Sequence, residues 1–487
     1  MAGPCPGQLS GLMDDRVVSL HMIHDRDSFP DGDPHATALA CVEAGIEAAR
    51  PERVVREAVQ LDGETLAIGP ERHDLSTYDS VLVVGGGNAA AAVAVTLEDV
   101  LGEALDGGVV VTDDPRSTAV VDVLPTDHPV PGQRGVESTS ELLNRARAAG
   151  SETLVVAVIT GGGSACMVAP ADGISLDGLQ TTTNALLASG ASIHEINAVR
   201  KPLSAIKGGR LAGALAPARV SALVLSDVVG DDLDVIASGP LVADPSTYAD
   251  AIDVVRSYDL AVPDSVRERL AAGAAGDLAE TPGPGDPIFE RVSTHLVGTN
   301  FTALDAAREA AHERGYDALV LSSRIRGEAR DAALAHVAVA EETVETGNPI
   351  APPAVVLSGG ETTVTVAGEG RGGPNQEFAL AAALELPSAA VLDVGPEDPP
   401  QAALDEGLES PPQAALAAVD TDGVDGNTDV AGALVDGELV DDRSVARSAL
   451  DHNDANGYLG ERDALIETGP TGTNVNDLRV LVVGSPE

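Results

Sequence analysis

Four cations stand within the eleven residues from 200 to 210: Arg200, Lys201, Lys207 and Arg210, in the segment NAVRKPLSAIKGGRL at 197–211. The whole chain owns 29 Lys and Arg against 77 Asp and Glu, so this local reversal of charge is a signal. Lys and Arg beside Gly208 and Gly209 suit the binding of phosphate or carboxylate. A helix face paired with neighbouring acids is the structural alternative. Downstream, residues 226–240 read SDVVGDDLDVIASGP. Asp227 falls just past a predicted strand, where a carboxylate can hold Mg²⁺ or accept a hydroxyl proton. Asp231, Asp232 and Asp234 follow in a turn that solvation alone would explain. Residues 419–429, VDTDGVDGNTD, resemble a calcium loop but lack its twelfth-position Glu and its flanking helices. They read as a turn that sets one or two carboxylates, Asp422 among them, near a ligand, or as a plain acidic turn. GPTGTNVN at 469–476 offers Thr471, Thr473 and Asn474 to phosphate oxygens or a sugar-acid hydroxyl, or is only a structural turn.

Four glycine turns follow predicted strands: Gly85–Gly87 with Asn88 behind it, Gly161–Gly163 with Ser164, Gly208–Gly209, and Gly359–Gly360 with Glu361. Glycine at a strand end lets backbone N–H groups approach an anion, and a following helix adds its positive end. One such turn is common in any parallel α/β protein. Several together point to the crevice outside the carboxyl ends of strands, where such sheets bind ligands. None fits GxxxxGK[ST], which excludes a P-loop.

These turns need elements to hold them. Residues 81–84, 109–112, 154–160 and 221–226 read as buried strands, and 89–101, 141–150 and 176–189 as helices between them. Strand, glycine turn and helix in repetition predict a parallel sheet covered on both faces. Residues 273–286, AAGDLAETPGPGDP, read as a linker. The alternation then resumes with THLVGTN, helices at 302–314 and 328–346, AVVLSGG, TTVTVAG and a last strand, RVLVVG. Residues 393–412 read as an acidic, Pro-rich surface loop. The expected organisation is an irregular tail at 1–34, a first α/β domain at 35–280 and a second at 290–487.

At 487 residues the chain exceeds one ordinary core. Hydrophobic residues make up 44% while aromatics supply 2% and Trp none, so the core is Ala, Val, Leu and Ile, the filling of buried parallel sheets. The net charge of −48 is spread along the chain and repels itself unless salt screens it; the Debye length falls to about 3 Å at 1 M. That predicts a salt-adapted surface and excludes nucleic acid and anionic membrane as natural partners. Three scattered cysteines, Cys5, Cys41 and Cys166, make no disulfide framework or metal spacing, as expected of a cytoplasmic protein. No apolar run reaches 18 residues, and the first 20 do not read as a signal peptide. Residues 1–21 are expected to be dispensable, with Met22 as the working start.

Taken as a set, the motifs resemble those of the glycerate 2-kinases whose C-terminal half is called MOFRL. The matching segments are DHPVPG at 127–132 with His128, TGGGSA at 160–165, VRKPLSAIKGGRLA at 199–212, SDVVGDDLDVIASGP at 226–240, SGGETTVTV at 358–366, GRGGPNQEFAL at 370–380 with Arg371 and Asn375, DTDGVDG at 420–426 and GPTGTNVNDL at 469–478. They run in family order over about residues 35 to 485. The resemblance implies ATP-dependent phosphorylation of D-glycerate to 2-phosphoglycerate, with Mg²⁺, by a Rossmann-like domain followed by a MOFRL domain and a cleft between them; it is compatible with a homodimer. Two positions depart from the family pattern: Asn88 stands where Lys is usual and Pro374 where Arg is frequent. Lys207, Lys201 and Arg371 are available to supply the charge.

Phosphoryl transfer asks a protein mainly to position reactants and neutralise charge. Carried onto this chain, the resemblance sets ATP phosphates against the glycine turns and glycerate, with Ser164 and His128 nearby, on Arg200 or Lys201. Asp227 would take the hydroxyl proton or bind the metal, and Lys207 and Arg371 would meet the developing charge. Two rivals are an NAD-dependent hydroxypyruvate reductase, suggested by VLVVGGGNAAAA, and a non-catalytic sugar-acid binding protein. The first lacks the acid expected about 20 residues beyond the glycines.

Overall fold

The computed structural model describes residues 22–24, 26, 29–30, 33–387 and 413–485. The expectations for residues 1–21 and 393–412 therefore lie outside the described residues.

Chain order begins with helices Asp33–Ala48 and Pro51–Ala58, then a small antiparallel meander of β1 (Val59–Asp62), β2 (Thr65–Ile68) and β3 (Glu71–Asp74). The first large sheet follows: β4 (Ser80–Gly86), β5 (Gly107–Thr112), β6 (Val121–Pro125), β7 (Thr153–Ile159), β8 (Arg219–Leu225) and β9 (Val292–Gly298). Its order is β6-β5-β4-β7-β8-β9 and every pair is parallel. Strands β5 and β7 are buried along their whole length, as runs of Val, Ile and Leu covered on both faces must be. Helix Ala90–Leu101 covers one face with Val93 and Leu97, and helix Gln133–Ala148 the other with Leu142 and Leu143. The chain reverses direction across the sheet between β4 and β7. That is the switch point at which open parallel sheets leave a crevice for a ligand.

The second sheet contains β10 (Asp317–Glu328), β11 (Ala354–Thr363), β12 (Ala414–Asp420), β13 (Gly432–Asp436), β14 (Leu465–Ile466) and β15 (Asp477–Val483), in the order β10-β11-β15-β12-β13-β14. Only β10 and β11 are parallel; the other neighbours are antiparallel. The resumed alternation thus gives a mixed sheet rather than a second parallel one, because the last strand returns to its centre.

Two of the boundaries expected from sequence move. THLVGTN does not open the second unit: β9 pairs with β8 and closes the first sheet, so that unit runs past 280 to 298. Helix Asp33–Ala48 does not belong to the first unit. Its Ala38, Val42 and Ile46 pack with Leu357, Leu478 and Val480 on the second sheet and with Leu304 on helix Asn300–Glu313, and Ile23 and Phe29 join the same core.

Candidate active site

Three turns meet at the switch point. After β4, the N–H of Gly87 (φ 130°) donates to Val111 O at 3.0 Å and that of Asn88 to Gly161 O at 2.8 Å. The N–H of Ala89 donates to Thr160 Oγ1 at 3.2 Å, tying the β4 turn to the β7 turn. The β8 turn closes on the β7 turn. A Cβ on Gly161 would stand 2.3 Å from Asp227 Oδ2, and one on Gly162 1.8 Å from Asn88 Oδ1. Gly162 also takes φ 72°, which other residues adopt only with strain. These two glycines are what let the Asp227 and Asn88 side chains sit against the turn.

Around the turns stand the predicted cations. Lys207 is buried, and its Nζ donates to Ser164 O at 2.7 Å and Met167 O at 3.3 Å. Burial first, and the nearby Arg200 charge second, lower its pKa to about 7. Arg200 is half-buried and has neither hydrogen bond nor ion pair among the described residues; burial lowers its pKa as well. Ser164 Oγ lies 2.6 Å from Ser238 Oγ, which donates to Asn197 Oδ1 at 2.8 Å. Burial holds Asp227 above the usual carboxylate range, opposed by its own N–H, that of Gly162 and the His128 charge. His128 Nδ1 is 3.4 Å from Asp113 Oδ2.

At the same end of the second sheet stands a group of acids. Burial raises Asp420 well above its normal value, with Asp422 and Asp477 adding to the effect. Asp422 is raised for the same first reason, and Asn474 Nδ2 donates to its Oδ2 at 3.3 Å. Asp425 is pushed up to about 6 by burial, although the N–H groups of Asn375 and Gln376 and the Gln376 amide all donate to it. Asn375 Nδ2 reaches Asp477 Oδ1 at 2.7 Å, and buried Arg479 pairs with Asp477 Oδ2. Asp425 and Asp477 are therefore held by the fold; Asp420 and Asp422 are half-buried, the first accepting the N–H of Asp422 at 3.2 Å and the second that of Val424 at 2.8 Å, and Glu361 is exposed. Glu361 is raised by desolvation, then by Asp477 and by Asp227 of the first unit. Gly359 and Gly360 lie in β11 before it: a Cβ on Gly359 would meet Asn300 Oδ1 at 1.9 Å, and one on Gly360 Ile325 O at 2.2 Å.

The structure thus gathers Gly85–Gly87, Asn88, Gly161–Gly163, Ser164, Lys207, Asp227, His128 and Arg200 on the first sheet. It gathers Gly359, Gly360, Glu361, Asn375, Asp422 and Asn474 on the second. Two predicted residues, Lys201 and Thr473, are engaged elsewhere, and a third, Arg371, stands apart. Lys201, 2% exposed, is ion-paired to Asp244 at 3.1 Å and Asp234 at 3.3 Å, the structural alternative for that segment. Thr473 is buried and its hydroxyl donates to Ala49 O at 2.6 Å. Arg371 is exposed on a loop whose backbone is tied to Asp454 and Asn456, and its guanidinium has no partner among the described residues. Nor do Asp227 and Asp422 form a ready cation cage. Among the described residues, the trio of potential ligands within 4.8 Å of one another is His194, Asp232 and Asp234, mostly exposed. Sequence reasoning missed Asp420 and Asp477, and Asn197 behind Ser238.

A doubly covered parallel sheet with a glycine-lined switch point, joined to a mixed sheet bearing acids, defines a two-unit α/β protein. A domain of unknown function, DUF4147, matches residues 37–271, and the MOFRL family matches 354–477. The Glycerate 2-kinase of Pyrococcus horikoshii is 36% identical over 459 residues, covering 92% of this chain and 97% of that protein. The D-glycerate 2-kinase of Thermotoga maritima is 37% identical over 448 residues, covering 91% and 96%. A crystal structure of glycerate kinase from Thermotoga maritima superposes with a TM-score of 0.77 at 36% identity, over 92% of this chain and 99% of that one. A relative in Agrobacterium vitis, 38% identical over 411 residues (83% of this chain, 87% of that protein), carries the name hydroxypyruvate reductase. The chain belongs to the DUF4147–MOFRL family of glycerate kinases.

Proposed function

We propose that this protein transfers the γ-phosphoryl group of ATP to the 2-hydroxyl of D-glycerate, in a crevice between the glycine turns of the first sheet and the acids of the second. The observation that carries this reading is the meeting of three turns at the switch point, with Asp227 in contact with one and Lys207 behind it. Arg200, without a partner, takes the glycerate carboxylate. Asp227, its pKa raised by burial, takes the hydroxyl proton as the oxygen attacks phosphorus. Lys207 opposes the charge that develops on the transferred group; one such contact is worth about 3–4 kcal/mol of barrier. Mg²⁺ fits the carboxylates Glu361, Asp420 and Asp422, whose pKa values desolvation raises, and when bound would neutralise phosphate charge. The absence of a ready cage suits an ion that arrives with the nucleotide and keeps several waters. The charge of −48 suits a salt-rich cytoplasm, and Cys41 and Cys166 are free and buried, as a reducing compartment allows. No helix among the described residues is long and apolar enough to cross a membrane.

The reductase reading has one observation in its favour: the first sheet has the strand order of dinucleotide-binding folds, and Asp113 directly follows β5, where a ribose-binding acid would stand. Asp113, however, faces His128. Coupled assays decide between the two. Glycerate-dependent ADP release is expected, with phosphorus NMR reporting 2-phosphoglycerate; hydroxypyruvate-dependent NADH oxidation without phosphorylation would overturn the kinase reading.

A further inference from the structure

Arg324 and Arg326 both lie on β10, Arg324 where the β10–β11 register shifts between Ser322 and Ile325. Both are exposed and neither is ion-paired among the described residues. In a chain with 77 acids that is unusual, since carboxylates are at hand: Glu361 is the cross-strand neighbour of Arg326 in the β10–β11 register. Instead the Arg326 guanidinium crosses to the first unit, where its Nη2 donates to Val229 O at 3.1 Å. The two guanidiniums also converge. A Cβ placed on Gly230 would stand 3.6 Å from Arg326 Nη2 and 3.9 Å from Arg324 Nη1. Two like charges so near the same point repel, and a multivalent anion relieves that repulsion. Gly230 is three residues beyond Asp227, and Glu361 is perturbed by Asp227, so the pair borders the crevice described above.

We propose that Arg324 and Arg326 form a polyphosphate-binding pair that grips the nucleotide from the second unit while Arg326 holds the Asp227 loop of the first. The inference rests on the kinase reading for the identity of the nucleotide, and on geometry alone for the anion. Planar guanidiniums bind phosphate oxygens in bidentate fashion, and two of them span neighbouring phosphoryl groups better than one carboxylate. On a surface this acidic they also supply the local attraction that an ATP polyanion would otherwise lack.

The test uses the full chain. Arg324→Ala, which removes no hydrogen bond of the guanidinium, is expected to raise the KM for ATP about tenfold, and the double Arg324→Ala/Arg326→Ala variant about 100-fold, the range for charge-assisted contacts. The KM for glycerate should stay within about twofold, as should every constant of Arg267→Ala, a distant exposed control. Calorimetric binding of inorganic tripolyphosphate should weaken in parallel. An unchanged KM for ATP in the double variant, or a rise confined to the KM for glycerate, overturns the proposal. If the unmodified protein phosphorylates no glycerate, the tripolyphosphate arm still decides: binding lost in the double variant upholds the anion site while the kinase reading falls, and binding retained removes the site.

Discussion

The two sheets present opposite chemistry at their facing ends. The first offers glycine turns, a buried lysine and a half-buried arginine with no partner among the described residues. The second offers carboxylates held above their ordinary pKa because burial, more than neighbouring charge, works against their ionisation. On the kinase reading, a substrate with anionic phosphates and a hard cation engages both groups at once, and a site so divided would bind most strongly when both are engaged, so that binding energy acts on the reacting geometry rather than on either ligand alone.

The largest effect that could break this comparison is at Asp227. Asp227→Asn keeps the shape and removes the proton acceptor, so kcat should fall by about 10²–10⁴. A variant with near-normal kcat, measured at saturating ATP and glycerate, would remove the carboxylate from the chemistry. Next comes Lys207→Met, for which kcat should fall about 100-fold. Because burial lowers this lysine to about 7, it is charged below that pH and loses its proton above it. The activity that depends on its charge should therefore decline as pH rises through about 7, and the variant's pH profile should lack that limb. Lys201→Met sharpens the contrast between two lysines six residues apart. It leaves buried Asp244 without its cation and should cost about 3–5 kcal/mol of stability in denaturant titrations, with the kcat of the folded fraction little changed. The smallest expected effect is distributed. Activity and Tm should both rise from low salt to molar KCl as the −48 charge is screened, and a flat response would show that the acidity is not a salt adaptation.

How much of this was written in the sequence depends on the range of the contacts involved. Strands β4, β7 and β8 were legible because a strand buried on both faces must be an unbroken apolar run, and their glycine turns because close backbone approach excludes a Cβ. The β1–β2 hairpin was missed although Asp62-Gly63 is a local turn signal; its strands are four residues each and only half-buried. Strand β9 was assigned to the wrong unit because nothing local says which sheet a strand joins when a helix follows it at once. The same limit governs the site. Asp227 announced itself by following a strand. Lys201 and Thr473 were misread because charge and hydroxyl content do not reveal a partner 43 or 424 residues away in the chain. The Arg324–Arg326 pair was invisible for the converse reason: the two guanidiniums converge on Gly230, in the loop after β8.

Helix Asp33–Ala48 and the strands from β10 onward share one core, while residues 51–298 build the meander and the first sheet between them. Topologically the first unit is an insertion into the second, and the chain passes between them twice, near residue 50 and again near 299. Two crossings tether the units to each other at two points rather than one. They also impose an order on synthesis. The helix made first waits for β15, made last, before Leu478, Val480 and Val482 can cover it. A fragment beginning at residue 290 would lack that helix and expose the apolar face of its own sheet, and a peptide spanning 33–48 added in trans should restore its solubility.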